Sequence, residues 1–221
     1  MSSPAEWSRI GEPYWSDRPV FIVGGGTSLK GFDFNSLRGR GYVLAVKQAW
    51  RDLPFADACF GLDRAWQTWA RDDLLALTFT MPLWIAIEPE WTGFKPIAGA
   101  HYLRMIRKAE TLSESPWTVE SGGNSGFGAF NFAYLKRARR IVLLGFDFGP
   151  SHYDPSAYTP RPDDHNLRYM QGWADNFSKT LPQLRAAGVT VLNASPASKI
   201  SAFPKMTPAE ALARIEQSGA A

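Results

Sequence analysis

The chain has 221 residues, 45% of them hydrophobic and 20% charged, with a formal net charge of +3. That length suits one compact domain with a sizeable core, the composition is that of an ordinary globular protein, and no stretch is apolar enough to span a bilayer. A single cysteine excludes an intramolecular disulfide, and three histidines argue against a histidine-rich metal centre.

Residues 1–18 read as an N-terminal extension. Met1 to Asp17 mix Trp and Pro with charges and lack the apolar core of a signal peptide, so a cytoplasmic location is expected. Short apolar runs bounded by turn residues predict buried strands at Val20–Val23, Tyr42–Val46, Ala58–Gly61 and Ile141–Leu144, with two more at Leu83–Ile87 and Val189–Leu192. Cys59 lies inside one of these runs and reads as buried filler. Helical spacing covers Arg64–Leu77, Ser125–Lys136 and Leu167–Ala187. Strands alternating with helices predict a Rossmann-like α/β fold over 19–206: an open, mostly parallel sheet with helices on both faces, in a single domain.

Residues 207–221 read as a C-terminal helix and tail, with Thr207 as cap, Pro208 at the first helical position and Glu210 completing a capping box. Segments 88–120 and 146–166 show no steady period and read as loop-rich walls of a site. The basic run Lys136-Arg137-Ala138-Arg139-Arg140 reads as the solvated end of a helix, with a weak phosphate or nucleic-acid patch as the alternative. Nine tryptophans suit sugars, bases and protein partners alike, and those at helical spacing, such as Trp66 and Trp69, are more often core.

Four constellations carry chemistry. Val23-Gly24-Gly25-Gly26-Thr27-Ser28 runs from a strand into glycines and a hydroxyl pair, either a phosphate cradle with Ser28 capping a following helix or a tight turn. It is neither a P-loop nor a dinucleotide fingerprint. Gly122-Gly123-Asn124-Ser125-Gly126 delivers polar groups to a helix start, where they could meet a ligand or only cap and pack the helix. Gly145-Phe146-Asp147 ends a central strand, and Asp147 there could orient a hydroxyl, hold Mg²⁺ or bond loop amides; Asp63 sits at an equivalent strand end. Asp163-Asp164-His165 precedes the long helix, so His165, like His152, is either a proton acceptor or exposed.

Together these motifs resemble a group comprising bacterial CMP-sialic-acid-dependent sialyltransferases, flagellin-glycosylating motility accessory factors and archaeal hydroxymethylpterin pyrophosphokinases. The similarity spans roughly residues 19–204 and is greatest to small prophage-encoded members carrying Gly-Gly-Asn-Ser-Gly and Leu-Leu-Gly-Phe-Asp segments. The resemblance implies a nucleotide-sugar donor, CMP-linked, held by Gly24, Gly25, Gly26, Thr27 and Ser28 with Asn124, Ser125 and Gly126. It further implies Asp147 as donor-orienting residue, His165 as general base with His152 as second choice, a hydroxyl acceptor, and no cofactor or metal. Gly25 stands where the sialyltransferases have asparagine, and Gly149 where they have a catalytic tyrosine; Tyr153 and Tyr158 are the candidates to replace it. The group's habit implies a homo-oligomer. The pyrophosphokinase alternative would instead use ATP and Mg²⁺ held by Asp147 with Asp63 or Asp154. A third reading is a phage-associated nucleotide-binding or structural protein without catalysis.

Overall fold

The computed structural model of the protein describes residues 6–62, 64–91, 93, 95–108, 110–149 and 163–219, with backbone only at 163–168, 218 and 219. Eight strands form one sheet: β1 (Val20–Val23), β2 (Tyr42–Val46), β3 (Ala58–Gly61), β4 (Leu83–Ile87), β5 (His101–Ile106), β6 (Thr118–Glu120), β7 (Arg140–Leu144) and β8 (Thr190–Ala194). Their order is β6-β5-β4-β3-β2-β1-β7-β8, and every pairing is parallel. β1, β3 and β4 are buried at every position, which explains why they read as unbroken apolar runs instead of alternating ones.

Within β1 the side chains divide by pleat. Val20 and Ile22 join a core with Phe60, Leu103, Phe127, Phe130 and Phe177, while Phe21 and Val23 join the opposite core with Val43, Trp66, Leu74 and Ile85. Helices α3 (Ser125–Leu135), α4 (Asp163–Lys179) and α5 (Leu181–Ala186) cover the first face. Helices α1 (Arg64–Trp69), α2 (Arg71–Leu77) and α6 (Pro208–Gly219) cover the second. The Rossmann-like α/β architecture expected from the sequence is therefore present. Cys59 is buried in the second core, and burial pushes its thiol pKa up, as befits a packing residue. Among the described residues no helix is long and apolar enough to cross a membrane.

β5 and β6 lie inside the segment expected to be loop. β5 is only partly buried and β6 has three residues, so neither presents the continuous apolar run of the central strands. Buried Asn131 of α3 ties this edge down: its Oδ1 accepts from Glu120 N (2.7 Å) and Ser113 N (3.0 Å), and its Nδ2 donates to the Ser113 carbonyl (3.1 Å). The expected helix 64–77 breaks at Ala70, and the expected 167–187 helix begins earlier and breaks at Thr180, just before Pro182.

The N-terminal extension straps the amino end of the sheet through Ser8 N to Tyr102 O (2.7 Å), Ile10 N to Pro116 O (2.8 Å) and Trp15 N to Lys136 O (2.7 Å). Lys136 is 7% exposed, donates to the Gly11 and Pro13 carbonyls, and sits over the Trp15 ring. Arg137 stacks on Tyr14 and Arg139 bonds the Ala187 carbonyl. Arg137 and Arg139 remain exposed, as expected of a solvated helix end, whereas Lys136 is buried as a clamp for the strap.

At α6 the capping box forms as read: Thr207 N donates to Glu210 Oε2 (2.7 Å) and Glu210 N to Thr207 Oγ1 (3.2 Å). The bond from the Thr207 backbone amide holds the Glu210 carboxyl below its ordinary pKa. A depressed carboxylate stabilises above its unfolded pKa, and that contribution is lost as pH falls through the folded one. The melting-temperature difference between the native chain and Glu210→Gln should accordingly be present at pH 7 and close as the solution is acidified below the ordinary glutamate range. A difference that persists unchanged in acid would show that the carboxylate is not the stabilising element.

Candidate functional site

β1 is flanked by β2 on one side and β7 on the other. The chain leaves β1 along the face that carries Leu29 and Leu37 and enters β7 from α3 on the opposite face. This is the sheet's switch point, where connections diverge and leave a crevice at the carboxyl ends of the strands. A cavity of about 220 Å³ occupies it.

The glycine loop after β1 forms one wall. Gly24 N donates to Leu144 O (2.8 Å) and Gly26 N to Gly145 O (2.9 Å), so the β1–β7 pairing continues past both strands. A Cβ at Gly24 would lie 2.8 Å from Gly145 O, and one at Gly26 would lie 2.5 Å from the Asp147 carboxyl carbon. These two glycines are required by the approach of the β7 end, while the backbone of Gly24–Gly26 lines the cavity.

Thr27 and Ser28 turn the other way. Ser28 N donates to Asp147 Oδ2 (2.7 Å), Ser28 Oγ to Oδ1 (2.6 Å) and Thr27 Oγ1 to Oδ2 (3.4 Å). Asp147 is only 6% exposed. The α-helix that Ser28 was expected to cap is absent; a three-residue 3₁₀ turn, Thr27–Leu29, stands there with Gly26 at its cap position. Asp147 supplies the negative charge at that turn's amino end, the place a phosphate would take in a cradle. Ser195 and Ser198 fix the same β7 exit from β8, accepting from Phe146 N (2.9 Å) and donating to Phe146 O (2.5 Å) respectively.

The second wall is the start of α3. Asn124 is its N-cap, with Oδ1 accepting from Phe127 N at 2.8 Å. Its Nδ2 and the Ser125 Oγ are buried and have no hydrogen-bond partner among the described residues, and Ser125 is 8% exposed. Buried polar atoms are nearly always bonded, and each left unmade costs about 1–3 kcal/mol. Asn124 lines the cavity, and Ser125 follows it as the first residue of α3. Gly126 lets Phe146 approach, since a Cβ there would lie 2.9 Å from the ring.

Met170 and Trp173 of α4, with Phe146 and Phe148, form the apolar side of the cavity. Trp173 is seated against Gly123, which has a φ of +81°, and Asn176 Nδ2 donates to Gly122 O (3.3 Å), docking α4 on the loop before α3. Gly149, where the resemblance places a tyrosine, also lines the cavity, and a Cβ added to it would meet nothing within 4 Å among the described residues.

The cavity thus brings together Gly24, Gly25, Gly26, Asn124 and Gly126, with Thr27, Ser28, Ser125 and Asp147 immediately behind them. Asp63, His152, Tyr153, Asp154 and Tyr158 lie outside the described residues, as does the side chain of His165, whose backbone belongs to the first turn of α4. The remaining histidine, His101, stacks on Trp84 at the amino end of the sheet; burial, then nearby Lys136, lower its pKa. Among the described residues no three His, Cys, Asp or Glu side chains gather as a metal site. Sequence reasoning missed Lys47 and Gln48, which line the cavity at the end of β2, and Met170 and Trp173. The first pair had a signal in its strand-end position, the second in its helical spacing with Phe177.

No family model and no curated protein sequence matches the chain. Among solved structures, the sialyltransferase CstII from Campylobacter jejuni, in complex with the substrate analogue cytidine-5'-monophosphate, is similar with a TM-score of 0.50 and 14% sequence identity. The match covers 87% of this chain and 86% of that one. The likeness is one of fold, and it extends over nearly the whole of both chains: this protein has a sialyltransferase-like α/β fold.

Proposed function

We propose that the cavity binds a nucleotide-activated sugar, CMP-linked, and that the protein transfers the sugar to a hydroxyl acceptor. The observation that carries this reading is the glycine-lined cavity at the start of α3, where Asn124 Nδ2 and Ser125 Oγ are buried without a hydrogen-bond partner among the described residues. A fold shared with a CMP-complexed sialyltransferase supports it. The cavity, at about 220 Å³, is smaller than the roughly 300–1,000 Å³ of sites that enclose a drug-sized ligand, so it takes the nucleoside phosphate end and leaves the sugar beyond it.

In the reaction the bond between the sugar's anomeric carbon and the phosphate oxygen breaks while the acceptor oxygen bonds to that carbon. Negative charge grows on the departing phosphate, and the α3 start, with Asn124 and Ser125, is the natural donor set for it. The acceptor's proton passes to His165 as general base. Asp147, with both its oxygens given to Thr27 and Ser28, acts in this scheme as a positioning residue for the loop.

A thermal-shift panel of CMP, CTP, UDP-sugars, ATP and GTP, with and without Mg²⁺, tests the binding. CMP should stabilise the protein by about 2.7 kcal/mol at a hundred times its Kd. Ser125→Ala removes a buried hydroxyl that has no partner among the described residues, so the free protein should be at least as stable as native while CMP affinity falls about fivefold. A shift seen only with ATP and Mg²⁺ would favour the pyrophosphokinase alternative. No shift with any nucleotide would favour a non-catalytic role.

A further inference from the structure

Helix α4 carries Tyr169, Trp173 and Phe177 at a spacing of four residues, which places them along one face. The stripe runs from solvent to core: Tyr169 is 45% exposed, Trp173 half-buried and Phe177 buried. Phe146 and Phe148 meet Phe177 edge to face, at ring distances of 6.2 and 5.9 Å, so these two lining residues extend core packing into the cavity wall. Trp173 differs from them. Its half-buried indole lines the cavity and is stacked with Tyr169, with ring centroids 6.2 Å apart and planes at 25°. Gly123, on the loop before α3, has a φ of +81°, and a Cβ there would lie 3.0 Å from the indole Nε1. The loop thus carries no side chain where the indole approaches it, one residue before Asn124. An indole at a cavity edge, held by a glycine backbone and a second ring, is a flat apolar platform fixed in place.

We propose that Trp173 is the platform on which the base of the bound nucleotide stacks. The inference rests on the nucleotide reading of the cavity and adds to it the residue that holds the base. Asn124, Ser125 and the glycine backbone supply polar groups, which suit a phosphate or a hydroxyl and leave the apolar faces of a base uncovered. Stacking on the indole takes apolar area of both rings out of water. Every base has a π-face, so the platform contributes affinity and leaves the choice of base to polar groups around it.

The test is titration of CMP into the native protein, Trp173→Phe and Trp173→Leu, followed by calorimetry and by tryptophan emission. Trp173→Leu keeps an apolar side chain but no π-face, and its CMP affinity should fall about tenfold or more. Trp173→Phe keeps a ring, so it should melt within about 4 °C of native and bind CMP within about threefold of native. CMP should quench the emission of the native protein, and most of that quench should vanish in Trp173→Phe even though CMP is bound. No other tryptophan lines the cavity among the described residues, so the quench reports this ring. Should Trp173→Leu fail to fold, the quench in Trp173→Phe decides alone. A quench that persists in full in Trp173→Phe, or CMP affinity of a folded Trp173→Leu within twofold of native, would overturn the assignment while leaving the nucleotide site standing. Equal losses of affinity in both variants would also overturn it, leaving the indole only the task of seating α4 against Gly123. A native protein that binds no CMP would overturn the CMP reading and this inference together.

Discussion

Asp147→Ala should destabilise the protein by about 3 kcal/mol, because it removes two short bonds from a buried carboxylate to Ser28 and a longer one to Thr27. For a chain of this size that corresponds to a fall in melting temperature of roughly 6–12 °C. The Ser28 amide loses its acceptor, and the turn that orients Gly24–Gly26 loses its anchor. Asp147→Asn should cost about half as much, since its remaining oxygen can still accept from the Ser28 amide. Gly26→Ala offers an independent check on the same contact. Its Cβ would lie 2.5 Å from the Asp147 carboxyl carbon and 2.7 Å from the Gly145 carbonyl, and backbone cannot yield as a flexible side-chain end can. Urea and thermal melts of the three variants measure these effects. An Asp147→Ala protein that melts within 2 °C of native would show that the carboxylate does not hold the loop. An Asp147→Asn protein that keeps its fold and CMP binding but loses transfer would return Asp147 to the role of a group acting on the substrate.

The fold was legible where burial is complete. β1, β2, β3 and β4 have the bounds that their apolar runs predict, because a parallel strand covered on both faces must be apolar throughout. β5 and β6 were not legible: one is half-covered, and the other is very short and is held at Glu120 by the side chain of Asn131 in α3. The site was legible as a set of glycine-rich strand ends, but the partner of each glycine was not. Gly24 and Gly26 answer to the end of β7, and the hydroxyls of Thr27 and Ser28 answer to a carboxylate more than a hundred positions away. Pairings at such separation are fixed by strand order, and strand order leaves no local mark on the sequence. Lys47 escaped notice for a related reason: a φ of +54° on an ordinary lysine is invisible until the backbone is known.

His165→Ala should lower sugar transfer about 10²–10⁴-fold and leave the CMP-induced thermal shift within error of native. The expectation draws on α4, which brings Met170 and Trp173 to the cavity and then buries Ala174 and Phe177 in the core. Residue 165 lies in the first turn of that helix, about 7.5 Å along the axis from Met170 toward its start. In the proposed scheme the cavity takes the nucleoside phosphate, and a base on this turn would serve the sugar and its acceptor, which meet beyond the phosphate. His152→Ala is the companion variant, because either histidine could accept the proton. The measurement is CMP release from a CMP-linked sugar, followed with and without a hydroxyl acceptor and across pH. Loss of the low-pH limb of the rate profile in His165→Ala alone would identify His165 as the group that must be unprotonated. Undiminished transfer in His165→Ala would sink that assignment, and loss confined to His152→Ala would move it there. A variant that lost CMP binding along with transfer would mean that the start of α4 shapes the nucleotide wall instead of moving the proton.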